Sequence, residues 1–300
     1  MGRVFTLHGV APRVQPRRFI YRNISDQKTL TSILAATAPF VPLAEALAGR
    51  GDALTVDDAT RAAADAALLA RRHGHAVTLF VNPGQIDPPV PYSFHLLSVF
   101  LDAVRGNVAL DGQSFATRTL DQRHRLRLHL KEKLRETPTE VERSDLITTL
   151  ASECGLAPLE IPLFLETLDV DDLRALLDSG VEIQNHGWSH VCHQRLTPSE
   201  SAREIEQGRE WLSSRLGIDA GVFAVPFGDV MPLAGAPCDI WLTVDDRFPG
   251  GPIAAAVWNR DTLEAPPKRG AMDEVRYRAR KFLRRAKKRW PFLARPQRGK

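Results

Sequence analysis

Short apolar runs alternate with an amphipathic stretch in the first third of the chain. Residues 53–56 form an apolar run that ends in Asp57 and Asp58, residues 60–72 are rich in Ala and Leu with charges on one side, and residues 76–81 are apolar again. Runs of this length predict buried strands, and the intervening stretch has helical periodicity. Together they predict a β-α-β unit, and therefore a parallel sheet in an α/β fold.

Further elements follow from the same patterns. Residues 3–7 and 181–184 are predicted to be strands, and helical periodicity recurs between them at residues 94–104, 120–134, 140–154 and 171–177. The interval from residue 85 to about residue 173, between the strands at 76–81 and 181–184, is too long for a plain loop. We therefore predict a main domain over residues 1–265, with a helical insertion or lid over residues 85–175, followed by a tail over residues 266–300.

Composition limits the class of protein. The chain has 300 residues, of which 43% are hydrophobic, and this suits one large α/β domain with an insertion. The cysteines are Cys154, Cys192 and Cys238, an odd number without a C-x-x-C pair, so neither a disulfide framework nor a structural zinc site is expected. We expect no signal peptide and no segment that spans a membrane, and hence a cytoplasmic location.

The net charge of +4 is distributed unevenly. Residues 271–300 contain twelve Lys or Arg and only two acidic residues, so the rest of the chain is net negative. Aromatic and aliphatic residues among these cations, over residues 273–300, suit a helix that makes peripheral contact with the anionic inner face of a membrane. The alternative is a solvated terminal helix. A nucleic-acid partner is not expected, because no nucleic-acid-binding fold is visible.

The adjacent carboxylates of Asp57 and Asp58 are the first candidate for chemistry. Side chains alternate between the faces of a strand, so two consecutive residues reach one site only where the strand ends. The carboxyl end of a parallel strand is where α/β enzymes usually carry catalytic groups. The alternative is that Asp58 caps the helix that follows.

A second candidate follows the strand at 181–184, where a loop carries His186 and His190. The next helix is predicted to begin with a capping box of Thr197 and Glu200, so both imidazoles lie between a strand and a helix, as the two Asp do. Two imidazoles and a carboxylate at one rim are the ligand set of a catalytic divalent metal ion.

Three segments resemble motifs of the polysaccharide deacetylase family, also called the NodB-homology or carbohydrate esterase family 4-like family. Residues 55–59, T-V-D-D-A, resemble its T-F-D-D-G motif, and residues 185–190, N-H-G-W-S-H, resemble its N-H-T-x-S-H motif. Residues 223–229, F-A-V-P-F-G-D, are similar to the F-A-Y-P-Y-G-D form of its third motif. The motifs occur in the family's order, and the resemblance covers roughly residues 3–250. It implies a distorted (β/α)7-type barrel with a helical insertion.

The resemblance also implies roles for individual residues. Asp58, His186 and His190 would bind a divalent metal ion, for which zinc is expected and cobalt or nickel are alternatives. Asp57 would be the general base, and the backbone N–H of Phe227 would stabilise the oxyanion. This division of labour is chemically reasonable, because a carboxylate that binds the metal is not free to take a proton from water.

The chain also departs from the family pattern. Ala59 replaces a Gly, Gly187 replaces a Thr, and Ala224 stands where many members have an Arg that orients the base. The family's last motif supplies a His as general acid, but all nine His of this chain lie at or before His193. We predict that His8, at the end of the first strand, is the acid, with a structural role as the alternative; His193 would instead belong to the turn before the helix.

The resemblance implies a metal-dependent hydrolase of carbon–nitrogen bonds other than peptide bonds. The expected reaction removes an N-acyl group, foremost N-acetyl, from an acylated amino sugar of a glycan or of a lipid-linked glycan precursor. Two alternatives remain open. One is a catalytically impaired glycan-binding or scaffold protein of a polysaccharide biosynthesis system, and the other is a lipid-linked sugar deformylase.

Overall fold

Strands and helices alternate through the computed structural model, which describes residues 2–228, 237–244 and 250–263. The strands in these ranges are β1 (Val4–Leu7), β2 (Val10–Ala11), β3 (Ser25–Asp26), β4 (Ala53–Asp57), β5 (Thr78–Val81), β6 (Asn107–Leu110), β7 (Gln113–Ala116), β8 (Glu182–Asn185), β9 (Val222–Ala224), β10 (Ile240–Thr243), β11 (Gly251–Ala254), β12 (Val257–Asn259) and β13 (Asp261–Thr262). The helices are α1 (Gln27–Ala36), α2 (Leu43–Leu47), α3 (Arg61–Arg72), α4 (Ser93–Ala103), α5 (Leu120–Glu136), α6 (Glu140–Glu153), α7 (Val170–Asp178) and α8 (Pro198–Leu216). Single turns of 3₁₀ helix lie at Phe19–Tyr21, Pro83–Gln85, Leu163–Leu165 and His193–Arg195.

The central sheet is almost entirely parallel. Its strand order is β11-β12-β10-β9-β8-β5-β4-β1-β13, and only the pair β11–β12 is antiparallel. Val257–Asn259 pairs with β10, and the next residues, Asp261–Thr262, pair with β1. The segment 257–262 therefore contacts strands on both sides of the sheet. The predicted α/β fold is confirmed.

Alternation along the strands separates two cores. In β4, Leu54 and Val56 face a large cluster that includes the Ala-rich side of α3. Ala53, on the opposite face, packs with Phe80 and Trp258 in an inner cluster formed by strand residues and covered by α2. The same alternation carries Thr55 and Asp57 to the inner face, so the strand delivers a carboxylate where its neighbours converge.

The segment between β5 and β8 has a hydrophobic core of its own. Helices α4 to α7 lie within a few residues of the four predicted helices, and Phe100, Leu126 and Ile147 are fully buried in a cluster that this segment forms almost alone. The hairpin of β6 and β7 was not predicted, although its Asp111-Gly112 turn, with positive φ at both residues, is a recognised hairpin signal. Division of the chain into a main domain and an insertion stays a prediction.

The basic segment 273–300, for which membrane contact is predicted, lies outside the described residues, as does the whole predicted tail 266–300. Among the helices in the described ranges, none is long and apolar enough to cross a bilayer.

Candidate active site

The carboxyl ends of the parallel strands meet at one edge of the sheet, where a cavity of about 270 Å³ opens. β1 ends beside His8, β4 ends in Asp57, and β8 is followed directly by His186. All of the sequence-predicted site residues line this cavity: His8, Asp57, Asp58, His186, His190 and Phe227. The structure therefore brings together two turns that are about 130 positions apart in sequence.

Asp58, His186 and His190 form a compact buried cluster. One potential ligand atom from each lies within 4.8 Å of the other two. Asp58 Oδ1 is 3.3 Å from His190 Nε2 and 3.7 Å from His186 Nε2. The predicted alternative, in which Asp58 caps the next helix, is wrong, because Thr60 is the N-cap of α3 and accepts a hydrogen bond from the Ala63 N–H.

The chemistry of this cluster fits a divalent metal ion. Burial lowers the pKa of His186 to about 4 and that of His190 well below its usual value, so both imidazoles are neutral, as metal ligands must be. Asp58 Oδ1 is buried and accepts no hydrogen bond within the described chain. Burial and the charge of Asp57 raise the pKa of Asp58, a penalty that a bound cation would offset. His186 Nδ1 contacts the Ala224 carbonyl at 2.6 Å, which leaves Nε2 free to coordinate.

A hydrogen-bond chain connects the two turns that carry these ligands. The buried Tyr92 hydroxyl accepts from the Ala59 N–H at 3.0 Å and donates to Asn82 Oδ1 at 3.2 Å. Asn82 Nδ2 in turn donates to the carbonyls of His186 and Gly187. Because all of these groups are buried, their mutual satisfaction fixes the distance between the Asp turn and the His turn. Sequence reasoning did not identify Tyr92 or Asn82.

Side chains from other parts of the chain also hold the loop that carries His190. Asn185 Oδ1 accepts from the Gly187 N–H, and Glu204 accepts both the N–H and the hydroxyl of Ser189. The buried Arg143 donates to the Ser189 carbonyl at 2.8 Å. These contacts hold a loop that has little regular structure of its own, and they position the imidazole before any ligand binds.

Asp57 is held by a cation that sequence reasoning missed. Arg260, which follows β12, donates from both Nη atoms to the two Asp57 oxygens at 2.6 and 2.7 Å, and both side chains are buried. Burial would raise the pKa of Asp57, but the charge and hydrogen bonds of Arg260 outweigh it and lower the pKa well below the usual value. Ala224 stands at the position where the family pattern has an Arg, and in this chain the cation that pairs with Asp57 is Arg260.

The sequence suggests His8 and His193 for comparison as general acid, and the structure adds His95. His8 and His95 both line the cavity, whereas His193 does not. Instead His193 Nδ1 contacts the Ser201 hydroxyl at 2.6 Å, and its ring packs against Phe223. Burial lowers the pKa of His8, while the charge of Asp57 opposes that shift. Burial lowers the pKa of His95 to about 3, and its buried Nδ1 has no hydrogen-bond partner within the described chain.

Several site residues have an unusual backbone. Asp58, His190 and Phe227 have φ values of 68°, 50° and 64°, a region that non-glycine residues rarely adopt. Strain of this kind is typical of functional turns. Because Asp58 itself supplies the positive φ, the Ala at position 59 is accommodated where the family has Gly. Gly187, with φ of 82°, suits its own turn better than the family's Thr would.

A buried carboxylate and two imidazoles beside an ion-paired carboxylate, at the carboxyl edge of a parallel sheet, define an α/β hydrolytic enzyme. Residues 50–234 match the model of the family described as polysaccharide deacetylase. The chain therefore belongs to the polysaccharide deacetylase family, hydrolases of the amide bond in N-acetylated sugars. The matched range includes Asp57, Asp58, His186, His190 and Phe227, but neither His8 nor Arg260.

Solved structures show the same fold at low sequence identity. BC0361, a polysaccharide deacetylase from Bacillus cereus, superposes with a TM-score of 0.52 at 11% identity over 92% of this chain and 68% of its own. The Streptococcus pyogenes deacetylase PplD gives 0.51 at 12% identity over 92% and 96%, and IcaB from Ammonifex degensii gives 0.50 at 14% over 91% and 95%. No curated protein sequence matches the chain significantly.

Proposed function

We propose that this protein is a metal-dependent hydrolase that removes an N-acyl group, foremost N-acetyl, from an amino sugar. The observation that carries the proposal is the buried cluster of Asp58, His186 and His190, next to a second carboxylate, Asp57, that is outside that cluster and held by its own cation. A metal-binding site that served only stability would not require this additional buried carboxylate.

Asp58, His186 and His190 would hold the metal ion, with zinc expected and cobalt or nickel as alternatives. When bound, such a cation polarises an amide carbonyl and makes a nearby water more acidic. Asp57, ionised because of Arg260, accepts a proton from the water whose oxygen attacks the carbonyl carbon. The Phe227 N–H would donate to the oxyanion, a contribution of about 3 kcal/mol in other enzymes.

Departure of the amine requires a second proton transfer. As the carbon–nitrogen bond breaks, the nitrogen takes up a proton and the acyl group leaves as a carboxylate. We propose that His8 delivers that proton, because His8 lines the cavity from the β1 side and interacts electrostatically with Asp57. The proton that Asp57 takes from the attacking water passes to His8 and from His8 to the nitrogen, so both side chains return to their starting state.

Chelation and reconstitution test this function. Purified protein is assayed for bound metal, treated with a chelator, and offered N-acylated free sugars, nucleotide-linked sugars and lipid-linked sugars, with release of amine followed by mass. We expect amine release from at least one substrate, loss of release after chelation, and recovery with zinc, cobalt or nickel. Equal activity of the metal-free protein would contradict the mechanism. Metal binding without turnover of any substrate would favour a glycan-binding or scaffold protein.

Replacing His8 by Ala is expected to lower kcat on an acetylated sugar by about 100-fold, the lower end of the effect of a general acid. Metal content should not change, because His8 is outside the cluster. The kcat of His8→Ala on 4-nitroacetanilide should fall much less, because 4-nitroaniline is a good leaving group and its departure depends less on protonation of the nitrogen. His95→Ala is the matched control, since His95 lines the same cavity. A normal kcat in His8→Ala, or a larger loss in His95→Ala, would contradict the assignment.

A further inference from the structure

A group of cations lines the cavity away from the proposed metal ligands. Arg22 lies just after the turn Phe19–Tyr21, and Arg127 and Lys131 lie on α5. Residues four apart occupy the same face of a helix, so Arg127 and Lys131 project side by side. One turn further along that face, the Arg135 guanidinium lies 5.5 Å from the centre of the Phe227 ring. The cationic face of α5 therefore leads away from the proposed reaction centre.

The length of this path is set by helix geometry. Each step of four residues advances about 6 Å along the axis. Lys131 is thus about one such step, and Arg127 about two such steps, from Arg135, the residue that contacts Phe227. These side chains therefore lie about 6 to 12 Å along the helix from the residue that contacts Phe227, and a substituent of a substrate bound at the reaction centre can extend toward them.

The charges of these three cations are not balanced by ion pairs within the described part of the chain. Over residues 2–228, 237–244 and 250–263, no carboxylate lies within salt-bridge distance of Arg22, Arg127 or Lys131. Burial and then the charge of Arg22 lower the pKa of Arg127 to about 10, and burial and then the neighbouring Arg residues lower the pKa of Lys131. Repulsion of this kind is unfavourable for the protein alone, and an anion between the side chains would relieve it.

Two other cations of the cavity, Arg143 and Arg260, are buried and ion-paired. Arg260 is paired with Asp57 and Arg143 with Glu140, each through short charge-assisted hydrogen bonds. Among the described residues, the unbalanced positive charge of the cavity therefore belongs to Arg22, Arg127 and Lys131. Ile20 and Leu134 line the same cavity, and apolar neighbours of this kind strengthen an ionic contact made beside them.

We propose that Arg22, Arg127 and Lys131 form a subsite for a phosphate group carried by the substrate. The inference rests on the proposed function and narrows it to acylated amino sugars that bear a phosphate or diphosphate. Two guanidinium groups and one ammonium group can together neutralise a dianion, and Arg presents paired N–H donors to phosphate oxygens. A sugar phosphate, a nucleotide-linked sugar and a lipid-linked sugar share this chemistry.

Matched substrates test the proposal with metal-loaded enzyme. The assay compares N-acetylglucosamine, its 1-phosphate, its uridine diphosphate conjugate and a polyprenyl diphosphate conjugate in detergent. We expect kcat/KM to be at least about tenfold higher for one or more phosphate-bearing substrates than for the free sugar. In the double variant Arg127→Gln/Lys131→Gln that advantage should disappear. The substrate with the highest kcat/KM identifies the source of the phosphate.

Binding measurements keep this proposal separate from the proposed function. Calorimetry with glucosamine 1-phosphate and with inorganic phosphate requires no turnover, and we expect the double variant to bind at least about tenfold more weakly than wild type. Arg125→Gln is the control, because Arg125 is an exposed residue of the same helix that does not line the cavity. Binding without hydrolysis would support the subsite and contradict the proposed function. Absence of phosphate binding, or an equal loss in Arg125→Gln, would overturn the subsite.

Discussion

Replacing Asp57 by Asn is expected to lower kcat by about 1,000-fold while the variant still binds its metal ion. Asn is nearly isosteric with Asp but cannot accept the proton of the attacking water. Asp57 also pairs with Arg260 at 2.6 and 2.7 Å rather than with the imidazoles, so the loss should fall on turnover and not on metal affinity. The measurement is kcat on the best acylated sugar, together with metal content and a thermal unfolding curve.

The adjacent Asp58→Asn variant is the matched control. Asp58 Oδ1 is the carboxylate atom that faces His186 and His190, so its replacement should weaken metal binding by at least about 100-fold and abolish activity at low metal concentration. Two neighbouring, isosteric changes should therefore give opposite results for metal content. If both variants lose the metal equally, or if Asp57→Asn stays active, the proposed division of labour is wrong.

The ends of the strands could be predicted from the sequence because alternation and charge are local. In an α/β chain, an apolar run that ends in Asp57 and Asp58 is typical of a buried strand that reaches the rim of the sheet. The His loop has equally clear boundaries, including the capping box of Thr197 and Glu200 that the structure confirms. Parallel strands align their carboxyl ends, so the meeting of these two turns followed from the fold class. The fold class therefore predicted that the Asp turn and the His turn lie close together. The chemical roles of their residues stay predictions.

The residues that support the site could not be predicted in the same way. Tyr92 connects the Asp and His turns through Asn82, but nothing in the sequence around Tyr92 indicates which buried polar groups it will reach. Arg260 is 203 positions from Asp57 in sequence, beyond the last matched motif. One indirect signal existed: Ala224 left the base without its expected cation, and an Arg directly after a late strand could have been proposed to replace it.

Replacing Arg260 by Gln is expected to cost about 3–5 kcal/mol of unfolding free energy at neutral pH, because Asp57 would be left as an unpaired buried carboxylate. In wild type the lowered pKa of Asp57 contributes stability above its unfolded pKa, and that contribution is lost only as the pH falls through the folded value. In Arg260→Gln the pKa of Asp57 should rise. The stability difference between the two proteins should therefore shrink as the pH is lowered, measured by denaturant unfolding at several pH values.

The pH dependence of kcat should also show the raised pKa of Asp57 in Arg260→Gln. A raised pKa moves the acidic limb of the kcat profile of Arg260→Gln to higher pH, since Asp57 must be ionised to act as a base. Arg260→Lys keeps the charge but lacks the two parallel donors, so it should restore most of the stability and return the limb toward wild type, with kcat still reduced. A purely structural role would lower the stability of Arg260→Gln without moving the limb. An unchanged pH profile in a folded Arg260→Gln variant would therefore show that Arg260 does not control the base.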